Sequence, residues 1–459
     1  MLKKKRNLFN FLLNFKNKQN NTNIQKTVLL ALSFFFIVGT YSVLRPLKSS
    51  VFLGLIGKEY IPIAKLFSLI NLSFFLILYS KLVDKLKQHQ VLYFFFGVYI
   101  IGTILSAIAL LNPTIGLQNT ATDPCRIFGW IFYFFIDLFS PFIVATFWAF
   151  ANSINNPEFA KKSYGLIVAF SRMGGILTAS TCWFFMQKTT INYTKTIPFI
   201  LLACSILILC SITCIYLITK KVPEKDLRGY TAAYKAENNK NTEKPKTGLW
   251  TGLKLILARP YVFGIFSVVY LFEIISIITD YQMHVLMSIE KNNAIGDMSS
   301  FMFRYTATFQ GLGLIFALLG TVTLLKKFGV QICLLIMPIS IIALMFGLIY
   351  SPTLSTVFVI MVILRALHYG FNAPIKEILY IPTSKDIKFK SKSWIESFGR
   401  SLSKTSGSAL NILSQTTNSL FVLRMNSLIA MALSVVWIFV SILLGKKYKK
   451  TVNNNEVIE

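Results

Sequence analysis

Apolar residues run along this chain in blocks too long for the face of a soluble helix or strand. Ala31–Val38, Phe74–Leu78 and Phe358–Leu364 carry no charge at all. A helix that crosses about 30 Å of hydrocarbon needs about 20 mainly apolar residues. On that rule, spans centre near residues 36, 71, 101, 138, 174, 207, 271, 313, 340, 363, 409 and 434. The pattern predicts about twelve membrane helices, to within one. The ninth and tenth are separated only by Ser351, Pro352 and Thr353, and the eleventh is unusually polar.

One long hydrophilic interruption, from Thr219 to about Gly252, is too polar to pack a core and reads as a linker. It divides the chain into a basic tail (1–26), a six-helix bundle (27–218), the linker (219–259), a second six-helix bundle (260–445) and a second tail (446–459). The expected fold is all-α, integral to the membrane and major-facilitator-like, with a ligand site near mid-bilayer between the halves. A faint internal echo, Arg172-Met173-Gly174-Gly175 against Lys404-Thr405-Ser406-Gly407, agrees with duplication. The first permanent helix is expected over residues 27–43, since no cleavage site of a secretory signal precedes it.

Composition sharpens this picture. Only 14% of the 459 residues are charged, against about 25% in soluble domains. Lys and Arg outnumber Asp and Glu by 47 to 18. A soluble nucleic-acid-binding protein is excluded despite a pI near 9.8. With a cytoplasmic N-terminus, Lys3, Lys4, Lys5, Arg6, Lys16, Lys18, the Lys81–Lys87 loop, Lys161, Lys162, the linker, Lys326, Lys327, Lys385–Lys392 and Lys446–Lys450 all fall on one side. That is the positive-inside arrangement, and it puts both termini in the cytoplasm. The six Cys and three His follow no metal-ligand spacing, so no metal and no resident cofactor are expected.

Ionisable residues inside spans cost at least about 2.5 kcal/mol each and are functional candidates by default. Arg45 and Lys48 share one face of the first helix, followed by Ser49, and Lys65 lies early in the second. Both sets either face a cavity or snorkel to headgroups. In the fourth helix, Asp137 heads a face continued at helical spacing by Pro141, Val144, Trp148 and Asn152. The seventh aligns Glu273, Ser276, Asp280 and His284 on one stripe, as a cavity wall or as part of a structural ion pair. The tenth presents Arg365, Tyr369, Asn372 and Lys376, with Glu377 adjacent. The eleventh repeats Arg400, Lys404, Gly407, Asn411, Ser414 and Asn418 every three or four residues. Such a face cannot point at lipid, and a helix lying on the membrane surface is the alternative. Gly407 is expected to let a ligand approach the backbone. Cations exceed acids across these helices, which calls for a multiply charged anion, with phosphate the obvious group.

Three blocks carry a resemblance: TYSVLRPLKSSVFLGLIGKEYIPIAKLFSL (40–69), FWAFANSINNPEFAKKSYGL (147–166) and APIKEILYIPTSKDIKFKSKSWIESFGRSLSKTSGSAL (373–410). They resemble, in order, segments of the ATP/ADP translocases of obligate intracellular bacteria and plastids. The resemblance implies exchange of ADP for ATP, with phosphate as a further substrate, or import of other nucleotides or a related phosphorylated organic anion by exchange or proton symport. It implies roles for Lys48, Glu273, Lys404 and, less closely matched, Asp137. Ser49 stands where the family commonly has an acid, and Ala149 where it has glycine.

Arg45, Lys48, Arg400 and Lys404 are expected to neutralise the phosphates, with Lys65, Asn152, Arg172, Arg365, Tyr369, Lys376 and Asn411 as further substrate contacts. Asp137, Glu273, Asp280 and Glu377 are expected to pair with those cations or exchange protons, and Tyr369 or Trp148 to stack on the base. No phosphate-binding glycine loop of the NTPase kind is present, so transport is expected to be driven by gradients. No covalent chemistry is expected: none of the three His is followed closely by an acid as an acyl-transfer dyad requires. A bacterial inner membrane is the expected location, and the sequence is silent on oligomeric state.

Overall fold

The computed structural model describes residues 18–86, 88–155, 157–188, 192–223, 251–316, 321–384, 387, 391–415, 419–454 and 456–458. Most of the basic N-terminal tail, the linker from 224 to 250 and Asn418 lie outside the described residues.

The first six long helices are α1 (Lys18–Leu55), α2 (Ile61–Lys85), α3 (Gln88–Leu111), α4 (Ile127–Ile154), α5 (Pro157–Lys188) and α6 (Tyr193–Lys221). The second six are α7 (Pro260–Glu290), α8 (Ile295–Ile315), α9 (Thr321–Tyr350), α10 (Leu354–Leu367 continuing to Leu379), α11 (Lys392–Trp394 continuing to Leu413) and α12 (Ser419–Asn453). Among the described residues, nine helices are long and apolar enough to span a bilayer unaided. The other three, α8, α10 and α11, carry too much charge or are too short between interruptions. They remain in the bundle because neighbouring helices, rather than lipid, meet their polar groups.

Two expectations shift. The first helix is not confined to 27–43: α1 begins at Lys18 and runs through Pro46 to Leu55. Its polar start is held by the protein, since the buried Lys26 Nζ donates to the Ile154 carbonyl at the end of α4 (3.0 Å). The eighth span, expected near residue 313, is displaced because its polar first half, from Asp297 to Arg304, is invisible to a hydropathy count. Gly329, at φ 71°, then breaks α9 so that the crossing portion is Phe328–Tyr350; the left-handed backbone there suits glycine.

Among the described residues, three helices contain a complete π-helical turn. α4 contains a π-helical turn at Ser140–Val144, α10 one at His368–Asn372 and α11 one at Ile395–Gly399. Each inserts extra chain into a turn and rotates the residues beyond it off the face that a 3.6-residue period assigns them.

Large side chains such as Phe74 (67% exposed), Phe199 (71%) and Phe439 (64%) point outward, a surface suited to lipid and not to water. The halves meet along α1, α2 and α5 on one side and α7, α8 and α11 on the other. Gln310 Nε2 donates to Ser42 Oγ (2.6 Å) and Ser50 and Ser299 share a hydrogen bond (2.7 Å). The C-terminal Ile458 is tied to the segment after α10, donating to the Pro382 carbonyl (2.9 Å) and accepting from Ser384 N–H (2.8 Å).

α1 and α5 approach closely at Gly174, where an added Cβ would stand 2.4 Å from the Phe35 carbonyl oxygen and 2.9 Å from its ring. Backbone cannot yield as a side chain can. Gly174→Ala is therefore expected to destabilise the fold by about 1–3 kcal/mol, read as a lower melting temperature of the detergent-purified protein.

Candidate functional site

A cavity of about 320 Å³ lies between the two sets of six helices. Its depth is set by helix geometry. Arg45 stands ten residues before the end of α1, Asp137 ten after the start of α4, and Asp280 ten before the end of α7. Tyr305 stands ten after the start of α8, Arg365 eleven after the start of α10, and Lys404 nine before the end of α11. All these ends lie on one side of the molecule. At 1.5 Å per residue the shared offset is about 15 Å, half of a hydrocarbon core about 30 Å thick.

Among the described residues, six cations line the cavity: Arg45, Lys48, Lys65, Arg365, Arg400 and Lys404. Three carboxylates oppose them, Asp137, Glu273 and Asp280. Lys48 Nζ bonds Asp137 Oδ1 (2.6 Å) and lies 4.5 Å above the Tyr133 ring, joining α1 to α4. Lys65 Nζ bonds Asp280 Oδ2 (2.7 Å), crossing from α2 to α7 and so from one half to the other. Arg400 reaches Glu396 one turn back (2.9 Å) and lies 3.7 Å from Glu273. The His284 Nδ1 lies 2.7 Å from the Asp280 carbonyl oxygen and 3.7 Å from its carboxylate. Arg45, Arg365 and Lys404 have no carboxylate at ion-pairing distance among the described residues.

The α7 stripe reaches the cavity entire: Glu273, Ser276, Asp280 and His284 all line it. α7 is uninterrupted from Pro260 to Glu290, so its period holds. The α4 face does not hold. Asp137 and Pro141 reach the cavity, but Trp148 and Asn152 follow the π turn at Ser140–Val144 and lie about 17 and 22 Å further along the helix than Asp137. Trp148 packs instead against Phe34 and Tyr164, with ring centroids 5.1 and 5.0 Å away, and Asn152 accepts a hydrogen bond from the Tyr164 hydroxyl (2.8 Å). Trp148 therefore does not line this cavity, where the expected stacking partner of a base would stand.

The same correction applies to α10. Arg365 and Tyr369 line the cavity, but beyond the π turn Lys376 pairs with Glu396 and Glu377 with Lys392 (2.5 Å). On α11, Arg400 and Lys404 face the cavity while Gly407 and Asn411 face α7. An added Cβ at Gly407 would lie 3.0 Å from Ile277, and the buried Asn411 donates to the Ile277 carbonyl (3.4 Å). Gly407 thus admits a helix, not a ligand. Arg172 stands behind the cavity wall, 5.5 Å from the Tyr369 ring.

Sequence reasoning missed the aromatic lining. Tyr41, Tyr133, Tyr305 and Phe309 all face the cavity. Tyr41 and Tyr133 lie four residues before Arg45 and Asp137, one helical turn along the same faces. In α8, Met302, Tyr305, Thr306 and Phe309 form the usual one-face spacing. The signal was present, but aromatic residues in apolar runs read equally well as lipid-facing.

A model of the TLC ATP/ADP transporter family matches residues 3–448. The chain belongs to that family. Among its relatives, ADP,ATP carrier protein 1 of Rickettsia prowazekii is 24% identical over 484 residues, covering 94% of this chain and 95% of that protein. The chloroplastic ADP,ATP carrier protein 2 of Arabidopsis thaliana is 24% identical, covering 85% of this chain and 69% of that protein. With ADP,ATP carrier protein 4 of Rickettsia typhi the match is shorter, 26% identical over 197 residues, 39% of this chain and 38% of that protein. The inward-open xylose transporter XylE of E. coli superposes with a TM-score of 0.60 at 13% identity, over 91% of this chain and 96% of that one. This TLC family member is a multi-pass membrane protein of major-facilitator-like fold, a transporter and not an enzyme.

Within it, the Lys48–Asp137 pair places two charges in the cavity wall, Lys48 13% and Asp137 34% exposed. Removing one partner strands the other. Lys48→Met and Asp137→Leu are each expected to lower the melting temperature, and the double variant to recover most of the loss. The coupling read from that cycle should be about 1–3 kcal/mol.

Proposed function

We propose that this transporter exchanges ATP for ADP across the membrane by alternating access, with the phosphates held in the mid-depth cavity between its halves. One observation carries the reading: among the described residues, six cations face three carboxylates there. Excess positive charge away from bulk water is stabilised only by an anion brought in. A nucleoside di- or triphosphate supplies several charged oxygens at guanidinium and ammonium spacing. Inorganic phosphate fits the same donors as a smaller co-substrate.

The carboxylates divide the work. Asp137 and Asp280 hold Lys48 and Lys65 in place when no nucleotide is bound, and Glu273 sits beside Arg400. An arriving phosphate competes for these cations. Because Lys65–Asp280 spans the halves, that competition loosens a contact between them. Lys404, exposed and without a carboxylate, is free to meet the phosphates first. The aromatic residues Tyr41, Tyr133, Tyr305, Phe309 and Tyr369 border the same cavity and offer the base an apolar lining beside the cations.

Orientation is read from charge. Lys85, Lys220, Lys221 and Lys450 end α2, α6 and α12 on the side where α1 begins. Placing this basic side in the cytoplasm of a bacterium, by the positive-inside rule, puts both termini inside and the protein in the inner membrane. The opposite side is then the one where Lys65–Asp280, Ser50–Ser299 and Gln415–Glu59 hold the halves together.

Purified protein in liposomes loaded with unlabelled ADP is expected to take up labelled ATP. Lys404→Ala should slow that uptake by about 10- to 100-fold, the loss of one charge-assisted contact worth about 1.5–3 kcal/mol. Uptake no faster than into protein-free liposomes, for every nucleotide in a panel of mono-, di- and triphosphates, would overturn the assignment.

A further inference from the structure

Not every cation at mid-depth faces the cavity. Arg304 precedes Tyr305 on α8 and shares its depth, about 14 Å from the start of the helix, yet it is exposed and lines no part of the cavity wall. The cavity takes Met302, Tyr305, Thr306 and Phe309 from the opposite side of α8. Arg304 belongs instead to an outward stripe of Asp297, Arg304, Thr308 and Ile315, spaced seven, four and seven residues apart and all exposed. Ile315, 53% exposed, marks that stripe as one that faces lipid. A cation on such a face is costly unless it reaches the headgroup layer or meets an anion there.

Arg304 does reach outward. Helical side chains lean towards the N-terminus of their helix, and for α8 that is the nearer membrane surface. The guanidinium carbon lies 4.6 Å from the centre of the Phe358 ring, and Phe358 stands only four residues, about 6 Å, into α10. The side chain has therefore climbed from mid-depth towards the headgroups, where Phe301 holds the same ring from the other side (5.5 Å). Nothing there neutralises it. Among the described residues neither Arg304 nor Asp297 has an ion-pair partner. Glu290, at the end of α7, is committed to capping α10, where it accepts from the Leu354 N–H (2.7 Å).

The order of the two charges identifies what fits them. Asp297 stands seven residues, about 10 Å, nearer the surface than Arg304, and the outward lean of the arginine closes much of that gap. A fork of donors thus lies deeper and a carboxylate shallower, both open to the bilayer. An ethanolamine phospholipid has the matching order: its phosphate lies next to the hydrocarbon, and a primary ammonium stands further out on a two-carbon arm.

We propose that this outward face of α8, with Phe358 of α10 beside it, binds an ethanolamine phospholipid. The phosphate accepts from the Arg304 guanidinium, and the ammonium donates to the Asp297 carboxylate. A phosphatidylglycerol headgroup would satisfy Arg304 but bring no cation to Asp297. A choline headgroup carries the same two charges but has no N–H to donate. The site lies outside the nucleotide cavity and does not depend on which substrate is carried.

The test mixes the full-length detergent-purified protein with equal amounts of phosphatidylethanolamine, phosphatidylcholine and phosphatidylglycerol and reads the retained lipids by native mass spectrometry. The wild type is expected to keep the ethanolamine lipid at least about fivefold over either competitor, the gain of one charge-assisted hydrogen bond. Arg304→Gln should lower retention of the ethanolamine lipid at least about fivefold by removing the phosphate contact. Asp297→Lys should reverse the preference in favour of phosphatidylglycerol, an outcome that mere loss of packing does not produce.

A wild type that holds the three lipids alike overturns the proposal. So does an undiminished ethanolamine preference in Arg304→Gln or Asp297→Lys, because the preference then arises elsewhere. Should Arg304→Gln fail to elute as folded protein, Asp297→Lys, altered at an exposed first-turn position, decides by itself. A wild-type dimer that Arg304→Gln dissolves also overturns it, since a second copy of the chain then occupies this face.

Discussion

A charge taken out of water must meet another charge, and in this molecule that requirement acts from opposite walls of one cavity. Three of its cations are met by carboxylates across α1 and α4, across α2 and α7, and between α11 and α7. Each of these contacts fixes a pair of helices in register as well as neutralising a side chain. Among the described residues the cations lining the cavity outnumber its acids, the imbalance on which the proposed anion site rests. Stability and function are therefore in mild opposition. The bundle is built by apolar and small-residue packing, and the cavity at its centre holds the part of the charge balance that packing cannot close.

The contacts that hold the halves together at one end are individually ordinary. Ser50 with Ser299 and Gln415 with the Glu59 carbonyl are hydrogen bonds between uncharged groups. Such bonds contribute about 0.5–1.5 kcal/mol each net of water. A handful of them, with one ion pair, is enough to favour one arrangement and too little to lock it. This suits a protein whose halves must separate in every cycle.

The layout of the helices was legible in the sequence because length and apolarity are direct consequences of hydrocarbon thickness. So were charged positions on helices that keep their period: Glu273, Asp280 and His284 reach the cavity as spacing alone predicts. The features that lay beyond reach had specific causes. Asn152, Trp148 and Lys376 come after π turns, which no hydrophobic pattern announces. Gly407 and Asn411 sit where a polar residue serves a neighbouring helix as readily as a ligand. Tyr133, Tyr305 and Phe309 are hidden by their own apolarity. Glu396 joins Lys376 and Arg400 through folding of the segment before α11, a tertiary event.

The π turns of α4 and α10 come shortly after Asp137 and Arg365, in helices that hold equivalent places, fourth and tenth, in the order of the two halves. A helical wheel drawn through either helix is correct up to its turn and out of phase after it. Cysteine-accessibility scans plotted on such a wheel would therefore display two apparent water-facing sides in each helix, one above the turn and one below. The offset between them would measure the extra residue in solution, without any ligand and without reference to transport.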